Sequence, residues 1–126
     1  MDPEMSHVPI LRTSGNARMS KMVRVGNLLF LAGQTSSGQP QARSIEEQCI
    51  EAFGRIDTLL EQARSDKRHL LSVTIYLKDM SDFDRMNAVW QQWVDPDHLP
   101  ARCTVEATLG LPDLLVEFSV TAAAQD

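Results

Sequence analysis

A chain of 126 residues, 43% of them hydrophobic, suffices for one globular domain with a single core and offers no second domain. Its formal charge of -5 and isoelectric point near 5.1 argue against a nucleic-acid footprint, which needs a basic patch or stripe. No apolar run reaches bilayer-spanning length, and two cysteines, Cys49 and Cys103, fit a reduced cytoplasmic protein better than a disulfide framework.

Residues 1–20, with Pro9, Gly15 and mixed polarity, read as an irregular arm, and the domain is expected over 21–126. Residues 1–4 fit a cloning-derived lead before a native start at Met5. A strand is expected around Lys21 to Val25, with a turn at Gly26-Asn27. Its hairpin partner, residues 28–35, is apolar on both faces and must be covered on both sides. Ser44 and Glu47 have capping-box spacing ahead of a helix. On that helix Ile45, Cys49, Ala52, Phe53, Ile56, Leu60 and Ala63 recur on one apolar stripe.

A third strand alternates Leu71, Val73, Ile75 and Leu77 with polar positions. Ser81 or Asp82 is expected to cap a second helix, burying Phe83, Met86, Trp90 and Trp93 or Val94. After residues 95–100 come two alternating runs, Ala101-Arg-Cys-Thr-Val-Glu-Ala107 and Leu114-Leu-Val-Glu-Phe-Ser-Val120, read as a final hairpin. If Leu109 pairs with Leu114, the period of two puts Arg102, Thr104, Glu106, Glu117 and Ser119 on one face. An arginine fork near a carboxylate suits a small acidic ligand held by one group and attacked with help from the other.

The order ββαβαββ predicts an α+β sandwich, with two helices on one face of a mixed sheet. The other face keeps apolar groups of the second strand, so self-association is its expected cover.

The run Val25-Gly-Asn-Leu-Leu-Phe-Leu-Ala-Gly-Gln34, the run Val73-Thr-Ile-Tyr-Leu-Lys-Asp-Met-Ser-Asp-Phe83 with Met86-Asn87, and the Pro100-Ala-Arg…Val116-Glu pair occur in one order. In this the chain resembles the Rid family of reactive intermediate deaminases, YjgF-like proteins, from about Val23 to the end. The phrasing Ala88-Val-Trp-Gln-Gln-Trp-Val is closer to a less characterised branch than to the best-studied deaminases. The resemblance implies a chorismate-mutase-like fold and a homotrimer with ligand sites between subunits; no cofactor is expected, and spacing, hydropathy and charge lead us to expect no metal, membrane or nucleic-acid partner. It implies hydrolysis of 2-imino and enamine acids, such as 2-aminoacrylate and 2-iminobutanoate, to 2-keto acids and ammonia. The alternatives are a trimeric carboxylate-binding protein without turnover and, more weakly, a ribonuclease.

Residue by residue, the resemblance makes Arg102 the carboxylate clamp and Glu117 the group that orients or deprotonates water. Gly33 and Thr104 would offer contacts to the substrate's polar atoms. Asn87 would belong to the supporting network, although its position on a helix also suits a structural hydrogen bond to backbone. The plain alternatives are a surface salt bridge for Arg102 and, for Glu117, a structural ion pair with Arg102 or with a neighbouring chain. The chain departs from the family pattern at Met19 and Ala32, where hydroxyl side chains are frequent, and at Thr104, where cysteine is frequent. Cys103 is expected in the core, Glu106 on solvated strand surface, and Trp90 and Trp93 in the helix packing. His7, His69 and His98 have no zinc-like spacing with each other or with the cysteines.

Overall fold

Two helices cross one face of a six-stranded mixed sheet, as the alternation of helical and strand periods leads one to expect. The structure, a computed structural model, describes residues 8–39 and 43–125, so residues 1–4 lie outside it. The elements are β1 (Ile10–Ser14), β2 (Ser20–Val25), β3 (Leu28–Leu31), α1 (Ile45–Gln62), β4 (Leu70–Leu77), α2 (Phe83–Trp93), β5 (Ala101–Glu106) and β6 (Val116–Ala123). Their order across the sheet is β1-β2-β3-β6-β4-β5.

The helices follow from local chemistry. Ser44 accepts from the Glu47 amide and the Glu47 carboxylate accepts from the Ser44 amide, closing the expected capping box. The predicted stripe of α1 is buried throughout, joined by Leu59 and by Gln48. Neither Ser81 nor Asp82 caps α2 with a side chain. A 3-10 turn, Met80–Asp82, precedes the helix instead, and Asp79 accepts from the Ser81 amide. Met86 and Trp90 are the buried residues of α2. Phe53 of α1 stacks on Trp93 at 4.3 Å between centroids and meets Phe118 of β6 at 4.7 Å. Burial of side chains such as Phe118, Leu29 and Ile75 contributes roughly 1.5–3 kcal/mol each.

Three expectations change. The arm contains β1, which pairs antiparallel with β2, because Ile10 and Leu11 extend along an open strand edge. Leu71 is exposed, since a bulge between Leu70 and Ser72 throws it out of register. The largest correction concerns the last two strands, which do not form a hairpin. β5 pairs parallel with β4, and β6 lies on the other side of β4, between it and β3. The reason is the β4-α2-β5 crossover, which is long enough to return the chain parallel. Residues 107–115 then cross the end of β4. Buried Gln48 pins this passage, donating to the Asp113 carbonyl at 2.9 Å and accepting from the Leu115 amide at 2.8 Å. Lys78 adds bonds to the Pro112 and Leu115 carbonyls.

The sheet face away from the helices carries two cross-strand rows: Ile10, Val25, Leu28 and Ala123, then Arg12, Val23, Phe30 and Thr121. Leu28 and Phe30 are 43% and 44% exposed, so the predicted two-sided burial of this strand is met on one side only within a single chain. Among the described residues no helix is long and apolar enough to cross a membrane.

Candidate functional site

The strand order decides where the candidate residues sit. Paired residues on neighbouring strands share a face. Arg102 pairs with buried Val73, Thr104 with Ile75 and Glu106 with Leu77, so all three belong to the helix side at the β5 edge. Glu117 pairs with Tyr76 and Ser119 with Thr74, on the helix-free side. Arg102 and Glu117 therefore occupy opposite faces of the sheet. The single-face arrangement and the direct Arg102–Glu117 ion pair within one chain are both corrected, because the hairpin on which that parity depends does not form.

Arg102 is half-buried. Its Nη1 donates to Asn87 Oδ1 at 2.7 Å, and its guanidinium carbon lies 5.3 Å from the Trp90 ring centroid and 5.9 Å from that of Phe83. Partial burial pushes its pKa below the ordinary arginine value. The ion pairs among the described residues leave Arg102 without a carboxylate partner. Its unshared N–H groups border a cavity of about 430 Å³ lined by Asn87, Trp90, Gln91, Val94, Pro96 and Leu99. Asn87 thus serves the arginine side chain and not backbone, and Trp90 combines core packing with a platform for the fork. The spacing Phe83, Asn87, Trp90 along α2 carried that signal, since i, i+4 and i+7 share one helix face. Thr104 is on the same side, and its Oγ1 is buried with no hydrogen-bond partner among the described residues.

Glu117 lines a second cavity, of about 320 Å³, with Gly33, Tyr76, Ser119 and residues 107–110. Gly33 has no positive φ, so its backbone alone does not require glycine. A Cβ at this position would displace the Glu117 carboxylate from where it lies, so glycine leaves the carboxylate room against the strand. The isolated bridge between Gln34 and Phe118 fixes this close approach, with Gln34 donating to the Phe118 carbonyl at 2.8 Å. Gly33 and Thr104 consequently serve different halves.

Other expectations sort quickly. Cys103 is exposed on the helix-free side, 3.6 Å from Thr74 Oγ1, and is no core residue. Cys49 is buried, and burial pushes its thiol up to about 12. Glu106 accepts from the Met80 amide at 3.0 Å and so helps hold the turn before α2. His69 pairs with Asp66 and His98 with Asp95, and neither lines the Arg102 or the Glu117 cavity. A hollow of about 460 Å³ beside α1 is lined by Lys21, Glu51 and Arg55, but Arg55 is already bonded to Glu51 and the Ser37 carbonyl.

Known proteins match this chain over nearly its whole length. The profile described as Endoribonuclease L-PSP matches residues 11–124. The RutC family protein YoaB of Escherichia coli is 38% identical over 114 residues, covering 90% of this chain and 97% of its own. The chain belongs to the RutC/YjgF family, the Rid proteins. A RutC family protein of Haemophilus influenzae is 37% identical over 113 residues, 90% of this chain and 97% of that one. The crystal structure of a YjgF-family member from Neisseria meningitidis superposes with a TM-score of 0.89 at 37% identity, covering 95% of this chain and 98% of that chain. The α+β fold of two helices on one face of a mixed sheet is thus that of the RutC/YjgF family.

Proposed function

We propose that the protein is a cofactor-free hydrolase of small 2-imino acids, acting as a homotrimer whose sites lie between chains. The observation that carries this reading is the division of the site. A cleft arginine without a carboxylate partner and a cleft glutamate seated over Gly33 occupy separate cavities on opposite faces of one sheet. One chain cannot bring them together, whereas a head-to-tail ring can set the arginine edge of one copy against the glutamate face of the next. The apolar rows around Leu28 and Phe30 supply a surface for that contact.

In such a cleft Arg102, oriented by Asn87, holds the substrate carboxylate through paired N–H groups. Glu117 takes a proton from water as its oxygen bonds to the C=N carbon, and the π pair moves to nitrogen. The nitrogen gains a proton, the C–N bond breaks, and ammonia leaves as the hydroxyl loses its proton to give the 2-keto acid. Positioning plus a general base, the latter worth on the order of 100- to 10,000-fold, is enough for imines that already react with water. A trimer that binds carboxylates without turnover is the second reading, favoured by Met19 and Ala32 where the Rid pattern frequently carries hydroxyls. The ribonuclease reading suggested by the family's description has the acidic balance of the chain against it.

The test mixes two inactive variants. Arg102→Ala and Glu117→Gln chains, unfolded and refolded together in equal amounts, should regain about a quarter of the natural hydrolysis of freshly generated 2-aminoacrylate. That fraction follows because random assembly pairs a sound arginine with a sound glutamate in one site of four. No recovery in mixed oligomers, with the natural chain active, would show that the two residues do not share a site. An inactive natural chain that still binds 2-keto acids would leave the binding-protein reading.

A further inference from the structure

The chain has a single tyrosine, and it lies in the Glu117 cavity. Tyr76 is the direct antiparallel partner of Glu117 across β4 and β6, so both project from the helix-free face with Cβ atoms roughly 4.5–5.5 Å apart. Its ring is half-buried between Glu117 on one neighbouring strand and Val105 on the other. Among the described residues its hydroxyl has no hydrogen-bond partner, the nearby bonds running from Lys78 Nζ to the Pro112 carbonyl and from Cys103 to Thr74. A phenol in a half-buried cavity ordinarily finds a hydrogen-bond partner. Here Glu117 is drawn toward Gly33, on the far side of β6, which leaves space between carboxylate and phenol for a small polar group.

We infer that the Tyr76 hydroxyl donates a hydrogen bond to the oxygen at C2 of the bound acid, so that the site selects acids bearing a 2-oxo or 2-imino group over plain carboxylates. This rests on the reading above, in which the Glu117 cavity receives the reacting end of the ligand. Arg102 recognises any carboxylate and cannot make the distinction. A donor at C2 can, because a ligand lacking the oxygen leaves the phenol without its partner. The same donor faces the C2 hydroxyl formed when water adds, and steadies its oxygen as that hydroxyl gives up its proton and ammonia leaves.

The experiment compares 2-oxobutanoate with butanoate by calorimetry, on the natural chain and on Tyr76→Phe. The substitution removes one oxygen and keeps the ring that fills the cavity wall. Affinity for 2-oxobutanoate should fall about fivefold, the worth of one neutral hydrogen bond, while butanoate affinity stays the same. Unchanged 2-oxobutanoate affinity in a natural chain that prefers it would overturn the role of Tyr76 and leave the imine-hydrolase reading intact. Equal losses for both acids would make Tyr76 a packing residue and overturn the inference. A natural chain that does not distinguish the two acids would sink the inference alone, since the hydrolase reading stands or falls on turnover of 2-aminoacrylate.

Discussion

The two halves of the proposed site are held by different kinds of structure. Around Arg102 the support is side-chain: an amide from Asn87 and two aromatic faces from the same helix, Phe83 and Trp90. Around Glu117 it is main-chain: a glycine whose missing Cβ leaves the carboxylate its place, a bridged strand end at Gln34, and the 107–115 passage pinned by Gln48. A guanidinium must meet a carboxylate in a fixed plane, which a hydrogen bond and ring faces enforce. A general base must sit within hydrogen-bond reach of one water, which a close backbone enforces. The clamp should therefore fail gradually as its supports are trimmed, and the base abruptly when its seat is disturbed.

The most severe way to test that contrast is to change the base itself. Glu117→Gln is nearly isosteric and cannot take a proton from water. Hydrolysis should fall by roughly 100-fold or more while the affinity for 2-keto acids at Arg102 persists. Steady-state kinetics beside calorimetry reads both quantities. A variant that folds, binds and turns over like the natural chain would make Glu117 structural.

The seat comes next. Gly33→Ala should cost about 10- to 100-fold in turnover, because the new methyl must push the carboxylate aside and small misplacements are expensive in a positioned base. Ligand affinity should change far less, since the carboxylate is held by the Arg102 fork of the neighbouring copy and the methyl displaces only the base. Equal falls in turnover and affinity would show that Gly33 supports the fold or the assembly, and would remove the backbone-seat argument.

Arg102→Lys addresses the other half. The charge survives and the fork is lost, along with the bond to Asn87 and the stacking on Trp90. Affinity for 2-oxobutanoate should weaken about tenfold, close to 1.4 kcal/mol. Calorimetry showing no change would place the carboxylate elsewhere in the molecule.

The contrast also explains what could be read before any fold was known. The capping box at Ser44 and Glu47, the stripe of α1 and the pairing of β2 with β3 depend on residues close in sequence, and their periods state them directly. Which strand neighbours β5 depends on a crossover and on Gln48 reaching residues more than sixty positions away, and no local pattern encodes that. Parity along each strand was legible: Arg102 and Thr104 do share a face, as do Glu117 and Ser119. The relation between the two pairs was not. Arg102 and Glu117 stand out from alternation and resemblance together and Asn87 and Gly33 through resemblance, while Tyr76 reads as the polar side of an alternating strand, because its importance comes only from its cross-strand partner.

The smallest expected effect concerns a position outside both halves. Gly54 stands in the middle of α1, facing the hollow beside Lys21 and the groove beside Trp93, and a Cβ there would meet nothing within 4 Å. Glycine in a helix interior is about 1 kcal/mol less favourable than alanine, partly through the freedom of the unfolded chain. Gly54→Ala should therefore raise the thermal midpoint by a few degrees and leave hydrolysis and affinity untouched. This checks that the functional contrast lies between the Arg102 edge and the Glu117 face and does not spread through α1. A fall in stability or in oligomer mass would instead mean that another copy approaches the helix at Gly54, and the interface would have to be drawn over α1 rather than over the apolar rows of the helix-free face.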